Sequence, residues 1–221
     1  MSLMSATNST ALDFVSLCLL ATALLGSLQH RLRISLVMLT LQGVILTAAA
    51  FLIALVSGEL HSYFAVGLTL VVKVVAIPGV LFLAVREIPL VPERQLALAK
   101  RTALALALAV ALTAFYVIGP LTPLDLLGAR QALPSSVAVM LLGLFAMLIQ
   151  RTALSQVMSL VTMENGLYLA ALAATNGFPL AVELGVALDA LVATVVMALV
   201  SRQIHRVIGH TDTEYLRYLR H

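Results

Sequence analysis

Charge is what this 221-residue chain has least of: Asp, Glu, Lys and Arg make up 10% of it and apolar residues 62%, where soluble domains carry about 25% charge and roughly 45–50% apolar residues. That balance excludes a soluble globular domain and a disordered chain. Tryptophan is absent and Cys18 is the single cysteine, set inside an apolar run. No disulfide within the chain and no thiolate metal cluster can form from it. No Gly-rich phosphate loop, Walker motif or nucleophile constellation occurs. The five histidines, at 30, 61, 205, 210 and 221, sit at the ends of apolar runs or in the tail. They lack H-x-x-x-H spacing, which argues against metal or haem ligation. The formal net charge of +3 is spread over loops rather than gathered in a patch, so it does not point to nucleic acid. What remains is the composition of an all-α integral membrane protein.

A helix needs about 20 apolar residues to cross roughly 30 Å of hydrocarbon, because its backbone must satisfy its own polar groups there. Seven segments meet this: about Ala11 to Leu28, Ile34 to Val56, Tyr63 to Val85, Thr102 to Gly119, Pro134 to Gln150, Leu154 to Ala174 and Pro179 to Val200. The first follows no Lys or Arg, unlike the positive start of a cleaved signal, and is read as a true span.

Seven spans put His30 and eleven Lys or Arg on one side: Arg31, Arg33, Arg86, Arg94, Lys100, Arg101, Arg151, Arg202, Arg206, Arg217 and Arg220. The other side has Arg130 alone, and Lys73 falls inside a span. Because cytoplasmic loops hold the cationic excess, the N-terminus is expected outside and the C-terminus in the cytoplasm. Tyr63, Phe64, Phe115, Tyr116 and Phe178 then fall at outer-side helix ends, as an aromatic belt does. The tail from His210 to His221 pairs Tyr215, Leu216, Tyr218 and Leu219 with Arg217 and Arg220, which suits an interfacial or partner-docking segment.

The third and seventh spans resemble each other. AVGLTLVVK at 65–73 aligns with AVELGVALD at 181–189, and each continues to an Arg-x-Ile thirteen residues on. Lys73 thereby matches Asp189. The second and sixth spans share Arg, then S-x-V-M, then a mid-span polar residue, Gln42 or Glu164. Spans one to three and five to seven are therefore expected to be two parallel three-helix repeats. The boundaries are 1–88 for the first repeat, 89–133 for a linker helix with its loops, 134–207 for the second repeat and 208–221 for a cytoplasmic tail. Alanines 103, 107 and 111 give the linker helix a small face for close packing.

Lys73, Glu164 and Asp189 are ionisable and mid-span, and each costs about 2.5–3.5 kcal/mol at the bilayer centre on insertion scales. Each lies thirteen residues from an arginine on the cationic side, Arg86, Arg151 and Arg202, so all three sit about 20 Å from that anchor. Burial favours the neutral carboxylic acid and a nearby ammonium favours the carboxylate, so two acids and a base at one depth suit proton transfer. The alternative is a static ion pair between Lys73 and one acid that braces the bundle. Pro78 and Gly79 are expected to break the third span and free the Val74 carbonyl. Asn165 and Gly166 are expected to loosen the sixth, unless these residues are merely the Pro and Gly common in membrane helices. Tyr168, one turn from Glu164, is placed to donate to its carboxylate. Glu183 is either an outer-side point of proton uptake or a helix-start acid favoured by the dipole.

The stretch R-T-x-L…MENG at 151–166, L-A…A-T-N around 169–176 and E-x-G-x-A-x-D-A at 183–190 resembles the hydrogenase-4 component E family. K-V-V-A-I-P at 73–78, followed by A-V-R-E-I-P, resembles the first half of the same family. The resemblance covers most of the chain, least clearly its N-terminus and the stretch from Ala103 to Ser135.

That resemblance implies a non-catalytic membrane subunit of a nickel–iron hydrogenase or formate hydrogenlyase-type complex related to respiratory complex I, in a bacterial or archaeal cytoplasmic membrane. The last three helices are similar to the K subunit of complex I and to the small subunit of multi-subunit sodium/proton antiporters. Glu164 and Asp189 would stand for the two mid-membrane glutamates of the K subunit, with Gln42 and Lys73 at the matching positions of the first repeat. Partners implied are antiporter-like and quinone-type membrane subunits. No cofactor is implied for this chain, the iron–sulfur clusters and any nickel–iron centre or quinone belonging to other subunits. A scaffold subunit with a static ion pair, or a subunit of a cation/proton antiporter, is the alternative.

Overall fold

The computed structural model describes residues 2–29, 31–58, 60–86, 98–121 and 131–175, together with 191, 192, 194–196 and 199. Among these residues all regular structure is helical apart from an isolated bridge position at Gln150. Helix α1 is Ser2–Ser27, α2 Leu32–Ser57 and α3 Leu60–Thr69. A π-helical turn, Leu70–Ala76, carries α3 into α4, Ile77–Arg86. Then follow α5, Lys100–Ile118, a short 3-10 turn, α6, Ala132–Ile149, and α7, Ala153–Thr175. Six helical stretches among the described residues are long and apolar enough to cross a membrane, α3 to α4 counting as one of them. They match the first six segments expected from the sequence to within a few residues, save that α1 starts well before Ala11. Most of the seventh segment lies outside the described residues, although 191, 192, 194–196 and 199 are helical.

Hydroxyl side chains inside the helices turn back on their own backbone. Thr22 donates to the Leu19 carbonyl, Thr40 to Leu36 and Thr47 to Gly43, so these hydroxyls enter an apolar medium already satisfied. The second helix stops at Gly58, whose φ of 65° is left-handed and whose N–H donates to the Ala54 carbonyl, a cap that glycine adopts without a Cβ clash.

Four helices form a ring in which α1 packs on α2, α2 on α7, α7 on α6 and α6 back on α1. Glycine sets the closest of these approaches. A Cβ on Gly143 would lie 2.4 Å from the Met163 backbone nitrogen, and one on Gly166 the same distance from that of Met140. Helices α6 and α7 therefore meet backbone to backbone through glycine on each side. Gly166 does not loosen the sixth span as expected: α7 runs unbroken through Asn165 and Gly166, and the missing side chain serves the contact with α6.

The third span leans on α2 through α3, the π turn and α4, and α5 lies outside the ring against α6. Ala103, Ala107 and Ala114 are the buried face of α5, while Leu112 and Tyr116 point outward, 69% and 83% exposed. The inner face thus continues by a seven-residue step from Ala107 to Ala114, with Ala111 at its margin. Among the described residues there are three apolar clusters: one joins Leu36, Leu39, Ile77, Leu81, Met158 and Val161, a second Leu12, Leu19, Leu46, Val139 and Leu169, and a small third Leu28, Ala103 and Ile149.

Candidate functional site

The described polar residues at mid-span converge between α2, the π turn and α7. Asn165 sits at the centre. The Lys73 Nζ donates to Asn165 Oδ1 at 2.9 Å, and Asn165 Nδ2 donates to Gln42 Oε1 at 3.0 Å. One lysine, one asparagine and one glutamine from three spans make a continuous chain, and all three are buried. An amide suits the middle position because it offers an acceptor to the ammonium and a donor to the next carbonyl.

Tyr168, one turn further along α7, places its hydroxyl 2.6 Å from Thr69 Oγ1. The Lys73 Nζ lies 5.6 Å from the centre of its ring, within the range of a cation–π attraction. The tyrosine thus bonds the third span at Thr69, one turn before the lysine. Glu164 is partly buried, with its Oε2 enclosed, and it interacts electrostatically with Lys73.

Local backbone geometry presents the lysine. In the π turn the Ile77 N–H donates to the Val72 carbonyl, five residues back. Continuing that spacing, position 78 would serve the Lys73 carbonyl, and Pro78 has no N–H to give. The carbonyl left over by the proline in this register is therefore that of Lys73 rather than Val74. Gly43 of α2 comes against it: a Cβ there would stand 2.5 Å from the Lys73 oxygen. Gly79 has open space around it and lies inside regular α4, so the departure from α geometry precedes Pro78 rather than following it.

Of the residues singled out in the sequence, Gln42, Lys73, Asn165 and Tyr168 come together with Glu164 beside them. Asp189 and Glu183 lie outside the described residues. Asp13 was not singled out, yet its Oδ1 accepts a 2.8 Å hydrogen bond from the Gln131 N–H at the start of α6. Its sequence signal was an acid inside an apolar segment. Among the described residues no group of three or more His, Cys, Asp or Glu side chains converges.

The family model for NADH-ubiquinone/plastoquinone oxidoreductase chain 4L matches residues 132–221, the part that contains Asn165, Glu164 and Tyr168. An uncharacterised protein of Mycobacterium tuberculosis is 37% identical over 109 residues, 49% of this chain and 50% of that protein, so the chain spans half the length of this relative. Hydrogenase-4 component E of Escherichia coli is 36% identical over 151 residues, 68% of this chain and 69% of that protein, and the Shigella flexneri protein of the same name matches equally. No solved structure matches this chain. With a third of its residues shared over more than two thirds of both chains, and a chain 4L-type domain at its C-terminal end, this multi-pass membrane protein belongs to the hydrogenase-4 component E family.

Proposed function

We propose that the chain is a non-catalytic membrane subunit of a complex I-like, hydrogenase-4 type oxidoreductase, and that Lys73, Glu164 and Asp189 belong to a lateral proton path through it. The observation that carries this reading is the buried chain from Gln42 through Asn165 to Lys73 with Glu164 beside it. An ionisable group held at this depth is costly unless it is used or paired. Here the lysine's hydrogen-bond partner is a neutral amide, and the charge of Glu164 acts on it electrostatically. A proton added to or removed from either group changes that attraction, which is the coupling a relay needs.

In this reading the N-terminus faces outward, the arginine-rich side is cytoplasmic, and residues 1–88 and 134–207 are parallel repeats joined by the 89–133 linker, with 208–221 a cytoplasmic tail. The contacts of α1 with α6 and α2 with α7 support the repeats, since these are the pairs of corresponding helices. Asp189 and Glu183 extend the path within the seventh span, Glu183 on its outer side. Antiporter-like and quinone-type membrane subunits of the same complex flank the chain, which lies in a bacterial or archaeal cytoplasmic membrane. It binds no cofactor itself, and the redox centres belong to other subunits.

Glu164→Gln is the test. In reconstituted vesicles the complex carrying it should assemble and keep electron transfer in its soluble arm while proton translocation falls. Unchanged translocation rules the role out.

A second reading, a static brace, is favoured by the direct Lys73–Asn165 bond and the burial of Lys73 at 4% exposure. Under it, Lys73→Met alone should remove the complex from the membrane, and Lys73→Met with Glu164→Gln should restore it, because no uncompensated charge is left.

A further inference from the structure

The polar chain does not end at Gln42. Its Oε1 is taken by Asn165, and its Nε2 is turned toward α1, where a Cβ on Gly26 would lie 3.8 Å from it. At that point a cleft opens between α1, α2, α6 and α7. It is lined by Gly26, Ser27, Ser35, Gln42, Ser159 and Thr162 among others, with an empty volume of ≈ 270 Å³ that is partly open to the surroundings. Its enclosed part has room for about one water molecule.

The lining is unusual for a bundle of this composition. Ser35, Leu39 and Gln42 form one stripe of α2, and Met158, Ser159 and Thr162 lead along α7 to Asn165. Both stripes start in the first turns after Arg31, Arg33 and Arg151. From Ser35 to Gln42 the rise is about 10 Å, so the cleft covers the distance from the arginine-rich end to the polar chain. Ser27, Ser159 and Thr162 donate their hydroxyl protons to the carbonyls of Leu24, Ser155 and Met158. Their oxygens therefore face the cleft as acceptors, and Gln42 Nε2 is the donor at its inner end. Acceptors on the walls and one donor at the end match water, which both gives and takes hydrogen bonds. No carboxylate lines the cleft, so it lacks the charge that would select a metal cation.

We propose that this cleft is a hydration site that links the arginine-rich side of the membrane to Gln42, and through Asn165 to Lys73. It rests on the proton-path reading of the site and gives that path an inlet within this chain. A water ordered there would extend the hydrogen-bonded line from Lys73 and Asn165 one step beyond Gln42, toward the open part of the cleft.

The test uses the assembled complex in membrane vesicles. On a Cys18→Ser background, Ser35→Cys, Ser159→Cys and Thr162→Cys are treated with a charged, membrane-impermeant methanethiosulfonate added to one side at a time. Labelling of all three from the arginine-rich side is expected, with none at Val37→Cys, which points away from the ring and is 62% exposed. Labelling from the opposite side only overturns the proposal. Should a variant fail to assemble, or the reagent be too large to enter, hydroxyl-radical footprinting of the unaltered complex decides instead: Met158, which lines the cleft, should be oxidised well above Met140, and equal protection of the two overturns it. The footprinting needs only water. If translocation is lost in Glu164→Gln while the cleft stays dry, the proton path stands and the inlet falls; if the cleft labels while translocation is unchanged, the reverse holds.

Discussion

The Lys73 ammonium donates to Asn165 Oδ1 at 2.9 Å across the boundary between the third and sixth spans, and the same asparagine donates onward to Gln42. A single neutral side chain therefore ties three spans at mid-depth. Neither of its neighbours in the chain can be left alone without cost, because a buried ammonium and a buried carbonyl each lose a partner together.

Replacing Asn165 by leucine should destabilise the bundle by about 2–3 kcal/mol, the cost of stranding buried polar groups where one of them is charged. Asn165→Asp should cost less, since it keeps an acceptor for Lys73 and loses only the donor to Gln42. The measurement is the equilibrium unfolding midpoint in mixed micelles. A leucine variant as stable as the parent would mean that the chain Lys73–Asn165–Gln42 contributes nothing.

Two glycines near the lysine should behave oppositely. At Gly43 an added Cβ would stand 2.5 Å from the Lys73 carbonyl oxygen, and at Gly79 it meets nothing within 4 Å. Gly43→Ala should therefore cost about 1–3 kcal/mol, as forced overpacking does. Gly79→Ala should be neutral or stabilising by about 0.4–1 kcal/mol through the unfolded chain. Unfolding midpoints of the two variants, compared side by side, check the contrast.

The spans were legible because length and apolarity lie along one dimension of the chain, and α2 and α5 to α7 fall within a few residues of the segments read from it. Lys73 and Glu164 were legible because charge in an apolar run stands out. Asn165 was visible only as a neighbour of Glu164, since a neutral amide raises no alarm by itself; its central place depends on the rotation of α7 toward α2 and the π turn. That turn was unreadable as well. Pro78 announces that a hydrogen bond is missing, but whether the helix kinks or widens by one residue depends on what packs against it, here Gly43 of α2. Gly166 misled for the same reason, as its use is set by α6 and not by its own helix.

Asp13 offers a simpler case. Its carboxylate accepts the Gln131 N–H at the start of α6, where helix N–H groups lack partners and the dipole favours negative charge. Asp13→Ala should cost about 1 kcal/mol, as loss of a cap does, and Asp13→Asn should recover most of it. Thermal unfolding of the three chains in detergent would show the order, and an asparagine variant as weak as the alanine one would point to charge rather than the hydrogen bond.

The contact of Tyr168 with Thr69 invites a double-mutant cycle. The two oxygens are 2.6 Å apart and both side chains are buried, so the pair is well made. Hydrogen bonds between membrane helices nevertheless average only about 0.6 kcal/mol, because the separated helices find other partners. Thr69 can turn its hydroxyl back to its own helix, as Thr40 and Thr47 do. Tyr168→Phe should therefore cost less than Thr69→Val, since the Thr69 hydroxyl that it leaves behind can be satisfied by its own helix. The coupling energy between the two changes should come out near 0.6 kcal/mol in unfolding measurements. A coupling of zero would mean that the two hydroxyls are neighbours without holding the third span to α7, and Lys73 would then be kept in place by its other contacts, the hydrogen bond to Asn165 foremost.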